Sequence, residues 1–342
     1  MSVKGKVAIG LVMVLLIGGG LINCIKDTTP VWAKVKLDVA LERYQILYTD
    51  YSNGKIYYTD FDVPDKIMEL DPLSGEKSVI KIELGKQFDP GQTAVKGIDE
   101  VFVTGDGSIY GLVRVNKEER SFLALNYTVP YLCKFSAKGK MVYATDIREQ
   151  IGMTGSSYRN NLFHLKADAL GRAYLSCSSG VLLYDENGNY DKFISVDDER
   201  SSTGSTDTII ELGRDGNIYV YYYGDSYRLA RVDYEAGTLV SEQDIMSGEL
   251  FCFDAEDGFY VKSSEGLYHY ATDLPVAGRV AEKVFDWWDL LIYKDTVEMI
   301  AAPAKDCVLV AVSSSLEDSN GLFLIQKMPR WKAKEEGYIY VE

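Results

Sequence analysis

Histidine and clustered cysteine are scarce in this chain, and their scarcity excludes several kinds of catalytic centre. Among 342 residues the only histidines are His164 and His269, and each lies in a short strand-like segment. Copper or quinone sites built from several imidazoles therefore have too few ligands, and a Ser-His-Asp hydrolase has no good candidate for its base. The five cysteines contain no Cys-x-x-Cys pair, which argues against a zinc site.

Positive charge is also in short supply. The chain has 36 Lys and Arg against 51 Asp and Glu, so 36 − 51 gives a net charge of −15. Nucleic acids and anionic membranes bind clustered cations, so this composition argues against either as a partner of the surface as a whole. With 46% hydrophobic and 25% charged residues the chain has the composition of a folded protein. Tyrosine is the one residue in clear excess, at 25 against 12 Phe.

The N-terminus has the pattern of an export segment. Lys4 and Lys6 precede an uncharged apolar run over residues 7–22, which is typical of a signal peptide or signal anchor. Cys24 follows directly, and the segment resembles a bacterial lipoprotein signal, in which such a cysteine is diacylated; the family has Gly, Ala or Ser where Asn23 stands. We therefore expect residues 1–25 to be a signal peptide or anchor with a lipobox-like end. Lipid anchoring and uncleaved anchoring both remain open, and both place the chain at the extracytoplasmic face of the cell membrane.

The other four cysteines lie inside apolar, strand-like segments. Two disulfides among them are conceivable, but isolated cysteines in such segments usually behave as small buried hydrophobic residues. We expect free thiols at Cys133, Cys177, Cys252 and Cys307.

A short turn motif repeats along the chain and predicts the fold. Each copy places Asp-Gly or Asn-Gly, or a degenerate form of it, before an apolar-aromatic pair that begins a strand. The copies end at Tyr57, Tyr110, Tyr174, Tyr219, Tyr260 and Leu309. Their spacing is close to the roughly 40–50 residues of a four-stranded propeller blade. A second strand ending in Asp or Ser before another turn follows most copies.

The repeat predicts an all-β protein, a β-propeller preceded by the N-terminal export or anchor segment. Six copies predict six blades, and seven are possible if the long interval between Tyr110 and Tyr174 hides one; a β-sandwich with recurrent turns is the alternative. We expect a linker and possible closing strand over residues 26–45, the propeller over 46–328, and a tail or closing strand over 329–342. Residues 32–41 and 337–341 are the two candidates for closing the ring.

Two resemblances extend this reading. The segment from Ile56 to Asp60, followed by Lys66 to Asp71, resembles the Tyr-Trp-Thr-Asp blade motif of six-bladed propellers, with Tyr58 in the tryptophan position. The export signal, the near-lipobox cysteine, the repeated turns and the segment from Val284 to Asp289 are together similar to the N-terminal propeller half of extracellular solute-binding lipoproteins of clostridia-like Gram-positive bacteria. That resemblance implies a binding module associated with solute uptake.

Aromatic clusters supply the candidate binding residues. Tyr222 and Tyr223 belong to a run with five tyrosines in nine residues, and Trp287 and Trp288 are adjacent between two aspartates. On strands, alternate side chains face opposite sides, so part of each cluster is expected to be exposed and available to a sugar or a peptide. Packing between blades is the alternative role for the same side chains.

The leading hypothesis is a non-catalytic module that binds an extracellular carbohydrate, peptide or protein partner. We predict no catalytic residue and no cofactor. One alternative is a hydrolase or lactonase with a metal such as Ca²⁺ held by carboxylates at the central tunnel, and another is a scaffold that docks a protein. Acids converging at a tunnel mouth would favour the enzyme, whereas a tunnel ringed by Tyr and Trp would favour binding.

Overall fold

Six antiparallel sheets make up the molecule. The structure, a computed structural model, describes residues 26–37, 49–59, 63, 65–72, 74–83, 93–118, 126–153, 164–177, 179–196, 208–223, 226–254, 256, 258–271, 281–292, 296–313 and 321–341. Five of the sheets have four strands in sequence order and the sixth has five strands. The predicted all-β propeller with six blades is confirmed.

The first five blades each consist of consecutive hairpins, so neighbouring strands are neighbours in sequence. Blade 1 contains β2 (Thr49–Ser52), β3 (Lys55–Thr59), β4 (Lys66–Leu70) and β5 (Lys77–Lys81). Blade 2 contains β6 (Thr93–Val103), β7 (Ile109–Glu118), β8 (Asn126–Phe135) and β9 (Met141–Asp146). Blade 3 contains β10 (Leu165–Ala167), β11 (Ala173–Cys177), β12 (Gly180–Tyr184) and β13 (Tyr190–Ser195).

Blades 4 and 5 repeat this order. Blade 4 contains β14 (Ile209–Leu212), β15 (Ile218–Tyr223), β16 (Tyr227–Asp233) and β17 (Thr238–Asp244). Blade 5 contains β18 (Leu250–Phe253), β19 (Phe259–Lys262), β20 (Gly266–Tyr270) and β21 (Glu282–Asp286). The first strand of every blade contacts the first strand of the next, and β2 contacts the first strand of blade 6, so the ring is closed.

Blade 6 joins the two ends of the chain. It contains β22 (Val297–Ala304), β23 (Cys307–Val312) and β24 (Gly321–Pro329) from the C-terminal part, then β1 (Pro30–Lys36), then β25 (Ile339–Tyr340) at the outer edge. Strand β1 pairs with β24 over seven residues, from Pro30 opposite Pro329 to Lys36 opposite Phe323. Both sequence candidates for closure thus enter the same sheet, with the N-terminal strand inside and the C-terminal strand outside.

The core consists of separate apolar layers between neighbouring blades. The structure contains one such layer for each pair of adjacent blades, and a seventh, smaller cluster where Ala33 and Ala333 pack beside blade 6. The repeated tyrosines belong to these layers. Tyr110, for example, is buried between blades 2 and 3, and its hydroxyl donates to the carbonyl of Gly171 at 2.9 Å. Tyrosine suits this position because its ring fills the layer and its hydroxyl finds a partner at the layer's edge.

The long interval between Tyr110 and Tyr174 does not contain a seventh blade among the described residues. It contains the ten-residue strands β7 and β8 and the short helix α1 (Arg148–Met153), which packs into the layer between blades 2 and 3 through Ile151. The extra length therefore enlarges blade 2.

The turn after the first strand has more than one geometry among the blades. A type I′ turn needs positive φ at both central residues. Only Asn53 and Gly54 both have positive φ, at 49° and 75°. In blades 2, 3 and 4 the glycine alone has positive φ, and its N–H donates to the carbonyl three residues earlier, as in a type I turn followed by a left-handed residue. These glycines are Gly107, Gly171 and Gly216.

The remaining helices are short. Helix α2 (Arg330–Glu335) follows β24, and a 3₁₀ helix (Trp287–Leu290) follows β21. None of the helices in the described ranges is long and apolar enough to cross a bilayer. The proposed export segment over residues 1–25, including Cys24, lies outside the described residues, as do 38–48 of the expected linker and propeller start. The four cysteines from Cys133 onward are buried and free, as expected.

Closure of the ring at blade 6 can be tested through Ala33, which is completely buried between β24 and β25. We expect Ala33→Glu to lower the free energy of unfolding by more than about 3 kcal/mol, because an unpaired carboxylate enters the core. The measurement is urea unfolding monitored by circular dichroism. The control is Val142→Glu on the exposed face of β9, where we expect a change within about 0.5 kcal/mol. Equal effects of the two changes would contradict the observed closure.

Candidate functional site: the axial tunnel

The innermost strands of all six blades surround a cavity of about 850 Å³ on the axis of the ring. Its volume lies within the range of small-molecule sites. Seven carboxylates line it, from Asp50, Glu100, Asp168, Glu211, Glu249, Asp254 and Glu298. Three cations face them, from Lys166, Arg214 and Lys262. The lining therefore carries an excess of four acidic groups over basic ones, since 7 − 3 gives 4.

Strand register places the central charged residues at one level of the tunnel. Asp50, Lys166 and Glu211 each pair with the repeated tyrosine of their own blade, namely Tyr57, Tyr174 and Tyr219. The same position holds Phe102 in blade 2, Cys252 in blade 5 and Ala301 in blade 6. Each of the six blades thus contributes a different side chain at the same height along the axis.

A single ammonium group connects opposite sides of this level. The Nζ atom of Lys166 lies 3.0 Å from Oδ1 of Asp50 and 3.4 Å from Oε2 of Glu211, and 5.2 Å from the ring centre of Phe102. Asp50 belongs to blade 1 and Glu211 to blade 4, which face each other across a ring of six. The ammonium must therefore lie near the axis, where it crosses the tunnel. The Lys166 side chain is only 6% exposed.

Burial and mutual repulsion change the pKa of each group in this cluster. Burial raises the pKa of Asp50 and of Glu211, and the ammonium of Lys166 only partly opposes this. Burial and the nearby charge of Asp50 raise the pKa of Glu100 well above its usual range. Burial alone would lower the pKa of Lys166, but Asp50 and Glu211 raise it above its ordinary value. The ammonium group of Lys166 is therefore the one cation that interacts with all three carboxyl groups of this cluster. Oδ2 of Asp50 is buried without a hydrogen-bond partner in the described structure.

Two residues before this level lie Glu100, within β6, and His164, directly before β10. Burial and the charge of Lys166 lower the pKa of His164 to about 4, so its imidazole is neutral at neutral pH. Glu249 and Glu298 line the same mouth, and the ammonium of Lys262 binds Glu249. This end of the tunnel therefore offers carboxylate acceptors beside an uncharged imidazole; we call it the acidic mouth.

At the opposite end, the polar side chains are already used within the hairpin turns. Asp168 accepts from the backbone of Leu170 and Arg172 and from the hydroxyl of Tyr174. Asp254 accepts from the backbone of Gly258 and contacts Nε2 of His269 at 2.6 Å. These contacts hold the turns in place, so we assign these groups a structural role. The contact with His269 helps to hold the Asp254 carboxylate in the turn and lowers its pKa.

Two of the four predicted aromatic site residues are buried. Tyr222 is 5% exposed in the layer between blades 3 and 4, and Trp287 is 1% exposed between blades 5 and 6. The indole Nε1 of Trp287 donates to the carbonyl of Ser263 at 2.9 Å. Their surroundings are those of packing residues.

The other two are exposed and lie on different elements of the fold. Tyr223 ends β15 with its ring against Tyr227, at 4.9 Å between centres. Trp288 was expected on a strand, which is wrong: it lies on the 3₁₀ helix after blade 5 and is 62% exposed. In the structure, these residues do not form one aromatic surface, and neither lines the tunnel.

Sequence reasoning missed the tunnel residues, although a signal was present. Lys166, Glu211 and Cys252 each stand eight residues before the repeated tyrosine of their blade, and Asp50 stands seven before it. The turn motif thus marks a tunnel position in every blade. Each of the two criteria set out from the sequence is met only in part. Acids converge in the tunnel, as expected for the enzyme, but they converge on the ammonium group of Lys166. Aromatic residues line the tunnel, as expected for binding, but they are Tyr51, Phe102, Phe251 and Phe253, without tryptophan. Among the described residues no group of three or more His, Cys, Asp or Glu has an arrangement that could hold a metal ion.

The role of Lys166 can be tested with Lys166→Met, which keeps the length of the side chain and removes the charge. At pH 7–8 we expect the free energy of unfolding to fall by about 3–5 kcal/mol, because buried carboxylates lose their cation. A carboxyl whose pKa is raised on folding makes the protein less stable as pH rises through the interval between its ordinary and its raised value. The deficit of the variant should therefore shrink as pH falls and Asp50 and Glu211 take up protons.

The measurement is urea unfolding of both proteins from pH 4 to pH 8, with Lys138→Met in an exposed turn as the control. Lowering the pH also charges His164 in the unfolded chain, and because Lys166 helps to lower the pKa of His164 in the folded protein, the variant loses less stability by this route than the wild type. Both proteins are therefore also compared in a His164→Gln background, which removes this contribution. A deficit that stays constant across this pH range would show that Lys166 acts by packing alone.

Comparison with known proteins gives similarity of structure and not of sequence. No protein family matches the sequence, and no curated protein matches it either. Among solved structures, the major Malassezia sympodialis allergen Mala s 1 is similar with a TM-score of 0.50 and 10% identity, over 86% of this chain and 96% of that one. The WD40 β-propeller domain of Doa1 gives a TM-score of 0.46 at 9% identity, over 87% and 97% of the two chains. The β-propeller domain of Cps50 (Swd1) from Myceliophteria thermophila gives 0.43 at 10% identity, over 82% of each chain. At 10% identity the likeness to Mala s 1 is one of fold alone. The strand order and the contacts between blades show that this chain has the fold of a β-propeller.

Proposed function

We propose that this protein is an exported, membrane-tethered β-propeller that binds a small extracellular ligand in the acidic mouth of its axial tunnel. The observation that carries the proposal is the axial cavity of about 850 Å³, whose acidic excess collects at one mouth. Carboxylates beside a neutral imidazole favour a ligand rich in hydrogen-bond donors, such as the hydroxyl groups of a sugar or the ammonium group of a peptide or an amino sugar. Association with solute uptake agrees with the resemblance to solute-binding lipoproteins.

The tunnel is a better ligand site than the aromatic residues predicted from the sequence. Tyr222 and Trp287 are buried in packing layers, whereas Glu100 and Glu298 face a cavity. Glu100 is the key residue of the site, because it adds a carboxylate to a cluster that has only one ammonium. A cationic group of a ligand beside Glu100 would offset the repulsion between this carboxylate and its acidic neighbours. In the free protein the same repulsion favours the protonated form of Glu100.

Binding can be tested by thermal unfolding with glucose, glucosamine and the dipeptide glycylglycine as probes. A ligand that binds only the folded state stabilises it by about 2.7 kcal/mol at 100 times its dissociation constant. We expect glucosamine and glycylglycine to raise the unfolding temperature more than glucose, because only they carry an ammonium group. Glu100→Gln should weaken their binding by about tenfold or more, which corresponds to about 1.4 kcal/mol.

Tyr223→Ala is the matched control, since it alters an exposed aromatic residue outside the tunnel. If Tyr223→Ala abolishes binding and Glu100→Gln leaves it unchanged, the site is on the rim and the proposal fails. Stabilisation by Ca²⁺ together with hydrolysis of a lactone would instead favour the metal-dependent hydrolase. Stable capture of one protein partner without small-molecule binding would favour the scaffold.

Membrane tethering is tested separately at Cys24. The proposal rests on the cationic start, the apolar run over residues 7–22 and the cysteine that follows. We expect the full chain expressed in a Gram-positive host to occur in the membrane fraction, with intact mass showing either an acylated chain that begins at Cys24 or an unprocessed chain. Cys24→Ala should remove the acyl mass in the first case and change nothing in the second. Recovery of the protein from the cytosol would refute both forms of the tether.

A further inference from the structure

The point where the chain enters the propeller is fixed by several contacts. The backbone N–H of Trp331 donates to the carbonyl of Asp27 at 3.0 Å, and that of Arg330 donates to Thr29 at 2.8 Å. The Nζ atom of Lys26 lies 3.6 Å from the ring centre of Trp331 and 3.0 Å from Oε1 of Glu335. Residues 26–29 are therefore held against helix α2 at the edge of blade 6.

The connection between this point and the proposed anchor is short. Lys26 stands two positions after Cys24 and four positions after Ile22, where the apolar run ends. An extended chain spans at most about 3.6 Å per residue, which gives roughly 7 Å from Cys24 and roughly 14 Å from Ile22. The headgroup layer on each side of a bilayer is roughly 5–8 Å thick. A tether this short holds blade 6 within roughly 9 Å of the headgroups, since 14 − 5 gives 9.

The surface around this entry point has side chains suited to a lipid interface. Helix α2 contacts β1 and β24, and the 3₁₀ helix contacts β25, so both helices border the strands that close blade 6. The apolar side chains exposed there are Trp288 at 62%, Leu291 at 63% and Ile339 at 37%. The lysines exposed beside them are Lys26, Lys332 and Lys334. We call this set, together with Trp331, the seam surface. Tryptophan at the level of the headgroups and lysine extending from an apolar surface are typical of membrane interfaces.

Charge also distinguishes this corner from the rest of the chain. The residues 26, 27, 286–291 and 330–336 carry four cations and five carboxylates, so 4 − 5 gives −1, while the whole chain carries −15. The remaining residues therefore sum to −14, so phosphate groups repel the nearly neutral seam surface much less than they repel the rest of the chain.

We propose that the seam surface lies directly on the lipid headgroups, with Trp288 and Trp331 inserted at the interface. This inference rests on the membrane tether of the proposed function. Blade 6 then meets the bilayer with its outer edge, so the axis of the ring runs along the membrane plane and both tunnel mouths open sideways to the extracellular solution. The acidic mouth thereby stays accessible to a soluble ligand and to a neighbouring membrane protein.

The test is quenching of tryptophan fluorescence in the full chain reconstituted into phosphatidylcholine vesicles, with lipids brominated just below the headgroup as quencher. The chain has four tryptophans, of which Trp32 packs on Phe285 and Trp287 is buried. We expect the brominated lipid to reduce the emission of the wild type. The double variant Trp288→Phe and Trp331→Phe should lose most of this quenching, because Trp287 is buried and Trp32 is partly buried against the layer between blades 5 and 6.

A matched control adds a tryptophan on the opposite side of the ring. Leu170 is 70% exposed in a turn of blade 3, which faces blade 6 across the axis. In the double variant, Leu170→Trp should give an emission that brominated lipid does not quench, and unchanged circular dichroism shows that these variants fold.

The outcomes separate this inference from the tether on which it rests. Vesicle-bound protein whose quenching persists in the double variant, or whose added tryptophan at position 170 is quenched, overturns the orientation and leaves the tether standing. Failure of the wild type to associate with vesicles refutes the tether, and the orientation with it. A concentration-dependent dimer that shields Trp288 from the brominated lipid overturns the inference and assigns the seam surface to a second copy.

Discussion

Packing of each sheet against the next is the constraint on which the whole structure depends. A single four-stranded sheet has two faces to cover, and here each face is covered by the neighbouring blade through its own apolar layer. Such a stack leaves two uncovered ends unless it bends into a ring. Blade 6 completes the ring by taking β1 from one end of the chain between β24 and β25 from the other. Stability of every blade is therefore linked to a contact between residues about three hundred positions apart.

Closure of the ring also creates the site. The first strand of every blade lies against the axis, so side chains from six distant sequence segments meet in one narrow space. Asp50, Glu100 and Glu211 would repel one another strongly in such a space without a cation, and Lys166 supplies one from blade 3. Burial is the main cause that raises the pKa of each of these carboxyls, and Lys166 only partly opposes it. This excess of acidic groups is the basis of the proposal that the tunnel binds a ligand with hydrogen-bond donors or positive charge.

The excess of tyrosine has two explanations that the structure separates. Most of the repeated tyrosines are buried between blades, with hydroxyls bonded at the edge of the layer, so their abundance follows from the number of layers. In the part of the chain that the structure describes, the large aromatic side chains left exposed are those of Tyr223 and Trp288. Trp288 and Trp331 border the corner where the chain enters the propeller. This position is the basis of their proposed contact with the membrane, which is separate from ligand binding in the tunnel.

The sequence alone determined the architecture, because turns that need a glycine and strands that begin with an apolar-aromatic pair are local features, and their spacing is visible without any contact. It also marked the free cysteines, since each lies in a strand too apolar to be exposed. Only the tertiary structure decided the site. Lys166, Asp50 and Glu211 are separated by up to 161 positions, as 211 − 50 gives 161. The turn motif marks the position of each within its own blade, but only closure of the ring brings the three side chains into contact. The same holds for Tyr222 and Trp287, whose burial depends on the neighbouring blade. The repeat is determined by residues close together in the sequence. Which side chains the repeated positions contact is determined by closure of the ring, because that closure brings distant blades together.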